Sequence, residues 1–458
     1  MRALSLLPFL PVLLLLLSPP QSHRVEASDG FVRAKGLHFE LNGNPFYANG
    51  FNAYWLMTLA ANPSLKDKVS SAFREASGHG LLVARTWAFS DGGSNALQYS
   101  PGSYNEQTFK GLDFVVSEAK RYGIKLILSF VDNYDSFGGK KQYVQWGREQ
   151  GQYIASDDEF FTNPVVRGFY KNHIRVNLFF CSSISDVSEH RSEQISMVFT
   201  FQAVLTRVNT ITGVAYKDEP TIFSWELMNE PRCQSDLSGR TIQAWITEMA
   251  AHVKSIDSNH LLEAGLEGFY GTSSSERQFN PGVEIGTDFI QNNQIPNIDF
   301  ATIHSYPDQW LSSSDDRSQL AFLNKWLDVH IRDASSVLRK PLLITEFGKS
   351  QKDPGFSIDQ KDTLFRTVYS KVYWSARTGG AAAGGLFWQL LTEGIDSYGD
   401  GYQVIMGEAS STARLITAQS RQLRNLGKMY ARQRNIARMK RAKAVREQQR
   451  RTGNNVGN

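Results

Sequence analysis

Two glutamates are set apart by their neighbours. Glu230 follows Asn229 and precedes Pro231, and Glu346 lies in Ile344-Thr345-Glu346-Phe347-Gly348, 116 residues further along. Glycosidic hydrolysis needs such a pair: one carboxyl protonates the leaving oxygen while the other attacks or stabilises the anomeric carbon. A spacing of ~5–5.5 Å between them would mean retention, and ~6.5–9.5 Å inversion. Taken singly, Asn-Glu-Pro reads as a loop entry and Thr-Glu-Phe-Gly as a strand end. The pair means something only if the fold brings both to one place.

Eight apolar, β-branched or aromatic runs recur with helical stretches between them: 46–55, 81–89, 124–133, 221–231, 261–269, 298–307, 341–348 and 384–391. Strands alternating with helices imply parallel pairing, and eight such units predict an α/β fold, a (β/α)8 TIM barrel. Asn42-Gly43, between FVRAKGLHFEL and NPFY, predicts a short N-terminal hairpin over one end of that barrel. Within the runs the polar and aromatic residues Arg85, Asn229, Glu230, His304, Tyr306, Glu346 and Trp388 fall in the middle or late. The C-terminal rim of such a barrel carries the chemistry, so these seven are expected to converge there.

The 458 residues are 41% apolar and 21% charged, which excludes a disordered or collagen-like chain. From Arg421 to Arg451 there are twelve Lys and Arg against Glu447 alone, a local +11; setting these aside leaves 37 basic against 44 acidic residues, a net of −7. An acidic body argues against nucleic acid as partner. Residues 1–27, with Arg2, the apolar run Leu6–Leu17 and small residues near Ala27, predict a secretory signal peptide, hence a soluble extracellular product of the cell wall or apoplast with no membrane span. Only Cys181 and Cys233 are present, so no disulfide framework is expected. His304 has no His or Cys at ligand spacing, and neither metal nor other cofactor is expected.

Trp225-Glu226-Leu227-Met228-Asn229-Glu230-Pro231, Ile303-His304-Ser305-Tyr306-Pro307 and Leu343-Ile344-Thr345-Glu346-Phe347-Gly348 resemble the retaining β-glycanases of glycoside hydrolase family five, within clan A. Asn49 to Trp55, Arg85 to Phe89 and Gly385 to Leu390 narrow the resemblance to the plant endo-β-1,4-mannanases, from about residue 30 to about 425. The resemblance implies Glu230 as general acid/base and Glu346 as nucleophile, on β-mannan. It implies further that His304 contacts this pair, that Asn229 binds the sugar 2-hydroxyl, and that Trp388 is a stacking platform with Trp87 beside it. Trp55 is either another cleft aromatic or plain core. The assigned roles require a raised pKa at Glu230 and an ionised Glu346, held so by Arg85 and Tyr306. An endo-β-1,4-glucanase of the same clan, or a glycan-binding protein without turnover, are the alternatives.

Two stretches depart from this pattern. Asn163 and Pro164 open a helix whose apolar stripe, Val166, Phe169/Tyr170 and Ile174, breaks at Val176. Removing 176–202, 27 residues, lets the stripe resume at Val204/Leu205 and Val208, so the segment reads as a non-homologous insertion, a translated intron, with a genuine surface-loop insertion as the alternative. Such an intron would start on the GT of a valine codon and end on a CAG for glutamine. After about 426 the chain becomes a basic tail, 426–458, disordered or helical and solvated, with a weak polyanion contact as the alternative to having no partner. The catalytic unit then spans 28–425.

Overall fold

The computed structural model describes residues 30–93, 95–175, 203–407 and 410–454. The expected leader, Cys181 and the segment 176–202 lie outside these. Barrel strands one to eight are Ala48–Asn52, Val83–Trp87, Lys125–Ser129, Ile222–Glu226, Leu261–Glu263, Ala301–Ser305, Leu342–Phe347 and Ala382–Phe387, one in each predicted run. Neighbours pair in parallel, and strand eight pairs with strand one from Gly384↔Ala48 to Phe387↔Phe51, which curls the sheet round on itself. Strands five and six form no ladder, but the N–H of Asp299 donates to Leu262 at 2.8 Å and that of His304 to Glu267 at 2.9 Å, which stitches the seam. The result is a (β/α)8 barrel with its helices outside.

One end is plugged. Val32–Lys35, His38–Leu41 and Asn44–Phe46 form a three-stranded antiparallel sheet, and its second turn is Asn42-Gly43, with φ of 51° and 73°. Positive φ at both central residues suits this turn to the twist of a two-residue hairpin, and Asn and Gly are the residues that tolerate it best. From this sheet Phe39 enters the barrel's N-terminal end, its ring 5.1 Å from Phe223 and 5.3 Å from Phe300 in edge-to-face contact. Val83, Ile127 and Leu343 complete that apolar floor.

Asn163 caps the helix Pro164–Ile174 through bonds from the N–H groups of Val165 and Val166. At its far end the N–H of Val204 donates to the carbonyl of His173 (3.1 Å), and that of Leu205 to Ile174 (3.2 Å). If 27 residues are subtracted from the later numbers, both are i→i−4 helical bonds. The next turn follows at once, Arg207 N–H donating to Ala203. The chain after residue 202 therefore continues the helical hydrogen-bond pattern for about one turn beyond Ile174, as a turn rather than a helix. Val204 and Leu205 are buried as the stripe requires, but Val208 is 55% exposed. The stripe instead ends at buried Arg207, whose guanidinium pairs with Asp113 and Glu106 on the neighbouring helix.

The last helix, Ser411–Asn454, runs through residue 426 without a break. Thr412 bonds Asp362, near the start of the helix Ile358–Thr378, and Tyr430 bonds the carbonyl of Arg377, near its end. The two helices thus run side by side from the C-terminal rim of the barrel to the hairpin pole.

Candidate active site

Each predicted site residue except Trp55 lies at or beneath the C-terminal rim. Trp87 ends strand two, His304 and Glu346 stand near the ends of strands six and seven, and Trp388 follows strand eight. Asn229 and Glu230 come three and four residues after strand four. Glu230 has φ of 49°, an uncommon conformation for a side-chain-bearing residue. It is held there by its N–H bonding the carbonyl of Gly265 at 2.9 Å. Gly265 itself has φ of 81°, and a Cβ on it would meet the carbonyl oxygen of Met228 at 1.6 Å. Only glycine allows the two loops to approach this closely.

Arg85, from strand two, organises the floor of the site. Its Nε and Nη2 grip both oxygens of Glu226 at 2.5 and 2.7 Å. Nη1 reaches Glu346 Oε1 at 2.5 Å and Asn52 Oδ1 at 3.0 Å, and Nη2 also reaches Asn229 Oδ1 at 2.6 Å. All five N–H donors of a planar fork are engaged, so Arg85 fixes the side chains of strands one, four and seven against one another. Glu263 lies beside Glu226 with its carboxyl far above the ordinary range, lifted by burial and then by the Glu226 charge. Burial and the Glu226 charge thus favour the neutral form of Glu263, which leaves Glu226 and Glu346 as the carboxylates bonded to the buried guanidinium.

Above this floor the two predicted carboxylates meet. One oxygen of Glu230, one of Glu346 and a ring nitrogen of His304 all lie within 4.8 Å of one another. Tyr306 donates to Glu346 Oε2 at 2.6 Å, so with Arg85 both oxygens of Glu346 are tied down. His304 Nδ1 stands 2.5 Å from Glu230 Oε1 and 3.6 Å from Glu346 Oε2. Tyr134 donates to Glu230 Oε2 at 2.7 Å, and Arg232, forked onto Glu267, approaches it at 3.8 Å.

The proton poise reverses the sequence expectation. Burial would lift Glu230, but the His304 bond and charge, Arg232 and Tyr134 outweigh it and hold the carboxyl down to about 2. Burial lifts Glu346 above its usual range against the pull of His304 and Arg85. Burial works against protonated His304, yet the two carboxylates raise its pKa. The charges of the resting site thus favour a proton on the imidazole over one on Glu230. Arg85 and Tyr306 bond Glu346 as expected, yet burial still raises its pKa, and the sequence could not show that His304 sits closer to Glu230 than to Glu346.

Three residues expected to bind substrate do not line the cleft. Trp55 is fully buried, its indole N–H donating to Leu390, and belongs to the core. Arg85 and His304 lie under the surface and act on the carboxylates. The cleft above, about 660 Å³, is walled on one side by Tyr54, Trp87 and Trp388 and on the other by Tyr306, Trp310 and Tyr402. Tyr54 stacks on Trp388 with centroids 5.8 Å apart and planes within 11°, and Asp400 holds the Trp388 indole N–H at 2.5 Å.

Several residues of the site were missed. Tyr134 and Asp132 come straight after strand three, where the rule of late polar residues would have found them. Asp132 accepts from Asn229 Nδ2 at 2.9 Å and is pushed up to about 7 by burial. Glu226 and Arg232 flank Asn-Glu-Pro itself. The trio Glu230, His304 and Glu346 also has the reach of a metal site that sequence spacing could not reveal, its ligands coming from different strands. Its atoms are already bonded to one another, to Tyr134, to Tyr306 and to the Arg85 cation, which a metal ion would have to displace.

The profile of the β-mannosidase-like members of glycoside hydrolase family 5 matches residues 29–398. Mannan endo-1,4-beta-mannosidase 1 of Oryza sativa subsp. japonica is 67% identical over 409 residues, 88% of each chain. Mannan endo-1,4-beta-mannosidase 7 of Arabidopsis thaliana is 57% identical over 444 residues, 97% of each. Among solved structures, the endo-beta-1,4-mannanase from Thermotoga petrophila superposes with a TM-score of 0.67 at 27% identity, covering 83% of this chain and 78% of that one. Profile, relatives and barrel agree: the chain belongs to glycoside hydrolase family 5, within its β-mannosidase-like group.

Proposed function

We propose that the protein is a secreted retaining endo-β-1,4-mannanase that cleaves internal bonds of mannan, galactomannan and glucomannan by double displacement. The observation that carries this reading is the meeting of Glu230 and Glu346 oxygens within 4.8 Å at the base of one aromatic cleft. That spacing fits the short separation of retaining enzymes, in which no water stands between the carboxyls. Glu346, oriented by Arg85 and Tyr306, is the nucleophile on the anomeric carbon. Glu230 is the acid and then the base. Asn229, held by Arg85 and Asp132, is placed for the sugar 2-hydroxyl, where bonds strengthen as the oxocarbenium-like transition state forms.

The acid needs a proton that resting Glu230 lacks, and His304 carries one along a 2.5 Å contact. As Glu346 bonds to the sugar its charge is consumed, and His304 loses one of the two anions that stabilise it. The imidazole then yields its proton toward Glu230, which passes it to the leaving oxygen. In the second step Glu230 takes a proton from the attacking water, or from a sugar hydroxyl in transglycosylation. The open cleft with Trp388 and Trp87 along it suits a chain bound in its middle rather than at its end.

The test is reducing-end release from mannan by the secreted protein and by Glu346→Ala, with the anomeric form of the first product followed by NMR. Release of the β-anomer by the parent alone is expected. An initial α-anomer, release only from soluble cellulose, or binding without release would overturn the proposal.

A further inference from the structure

The pole opposite the cleft carries a feature that mannan hydrolysis does not use. Beside the hairpin, a notch of about 220 Å³ is lined by His38, Tyr47, Arg377, Tyr430 and Arg434 among others. Its nearest acid, Glu40, is taken up by Arg434 at 2.5 Å and Lys35 at 3.6 Å. From this notch the last helix runs on for twenty residues past Arg434, about 30 Å at 1.5 Å per residue. Arg438, Lys440, Arg441, Lys443 and Arg446 on it are all exposed. Of its exposed apolar residues, Ile436 and Met439 share one side and Val445 lies on the opposite side, so past Arg434 the apolar stripe is only two residues long and is outnumbered by the cations around it.

We propose that this pole, the notch and the cationic rod together, is a docking surface for an acidic polysaccharide of linked uronic acids. Arginines and aromatic rings in a notch suit a carboxylated pyranose: the guanidinium takes the carboxylate and the ring takes the C–H face. The rod then follows the polyanion by charge alone. The net −7 outside residues 421–451 against the +11 within them also sets the orientation, because a polyanion repels the acidic body and is drawn to the basic end of the last helix. The enzyme would hang by one pole with its cleft turned to the surrounding mannan. The choice of a polysaccharide over nucleic acid or membrane rests on the function proposed above.

Binding of the full chain to immobilised polygalacturonate, read without turnover, tests this. The parent should bind, release as salt rises, and ignore fully methyl-esterified pectin. Replacing Arg438, Lys440, Arg441, Lys443 and Arg446 with Gln should weaken binding at least about tenfold while hydrolysis of soluble mannohexaose is unchanged. These side chains are exposed and bond no described residue of the barrel, so their loss should not disturb folding, and Arg377→Gln separately probes the notch. Equal affinity of the five-fold variant, equal binding to the esterified polymer, or tighter binding to anionic phospholipid vesicles or duplex DNA at the same salt would each overturn the proposal. An enzyme inactive on mannan that still binds polygalacturonate would refute the catalytic reading and leave this one standing.

Discussion

Deleting residues 176–202 should make the protein more stable, and the bonds flanking the segment give the size of the effect. Val204 to His173 and Leu205 to Ile174 are already i→i−4 bonds once 27 residues are discounted, so Arg175 joined to Ala203 would let the helix Pro164–Ile174 run on into the turn that follows Ala203. Bridging those two ends through 27 residues costs roughly (3/2)RT ln 27, about 3 kcal/mol, relative to a short connection. The deletion should recover up to about that much, less whatever the segment contributes of its own and less the cost of turning extended Arg175 and the turn after Ala203 into helix. It should also remove four phenylalanines, Phe179, Phe180, Phe199 and Phe201, from a chain prone to aggregate. Guanidinium unfolding of the two forms measures the first effect, and soluble yield with activity on mannan measures the second. An earlier unfolding midpoint in the shortened form would refute the helical-register argument. Messages that all retain the segment would refute its reading as an unspliced intron.

Gly265→Ala should abolish activity, because a Cβ 1.6 Å from the Met228 carbonyl pushes away the loop that holds the Glu230 backbone; near-normal kcat would show that the approach is not needed. Glu226→Gln leaves the buried Arg85 with one anion fewer and should cost about 3–5 kcal/mol of stability with a large fall in kcat, both read from unfolding curves and kinetics; a neutral outcome contradicts the charge balance drawn above. Because the pKa of His304 is raised, its proton is present at and below pH 6.5 and lost as pH rises through the higher folded value, so kcat/KM should fall on the alkaline side; His304→Gln should move or remove that limb. His173 and His330 are buried and pulled down to about 4, so each favours the folded state above pH 6.5 and loses up to about 3 kcal/mol as pH falls to 4; a flat stability profile over that range would count against their burial.

Much of this was legible because barrel chemistry sits at strand ends. Asn229, Glu230 and Glu346 could be placed from the runs that carry them, and each run became one strand. Trp55 was not legible, since an aromatic late in a strand run has the same sequence signature whether it faces the cleft or the surrounding helices. The distribution of protons was not legible either. It turns on His304 standing 2.5 Å from one carboxylate and 3.6 Å from the other, a difference set by three loops and visible in none of them alone. Val208 failed for a simpler reason: a buried Arg207 with two acidic partners took the place that an apolar stripe would have given to valine.

The aromatic floor formed by Phe39, Phe223 and Phe300 makes this barrel a cup rather than a tube. Among the described residues this apolar cluster lies between the hairpin pole and the buried Arg85, Glu226 and Glu263. Protons and the attacking water then come and go by the open cleft, past the substrate itself, so the same lip that receives the polysaccharide also governs how the buried acids exchange with solvent.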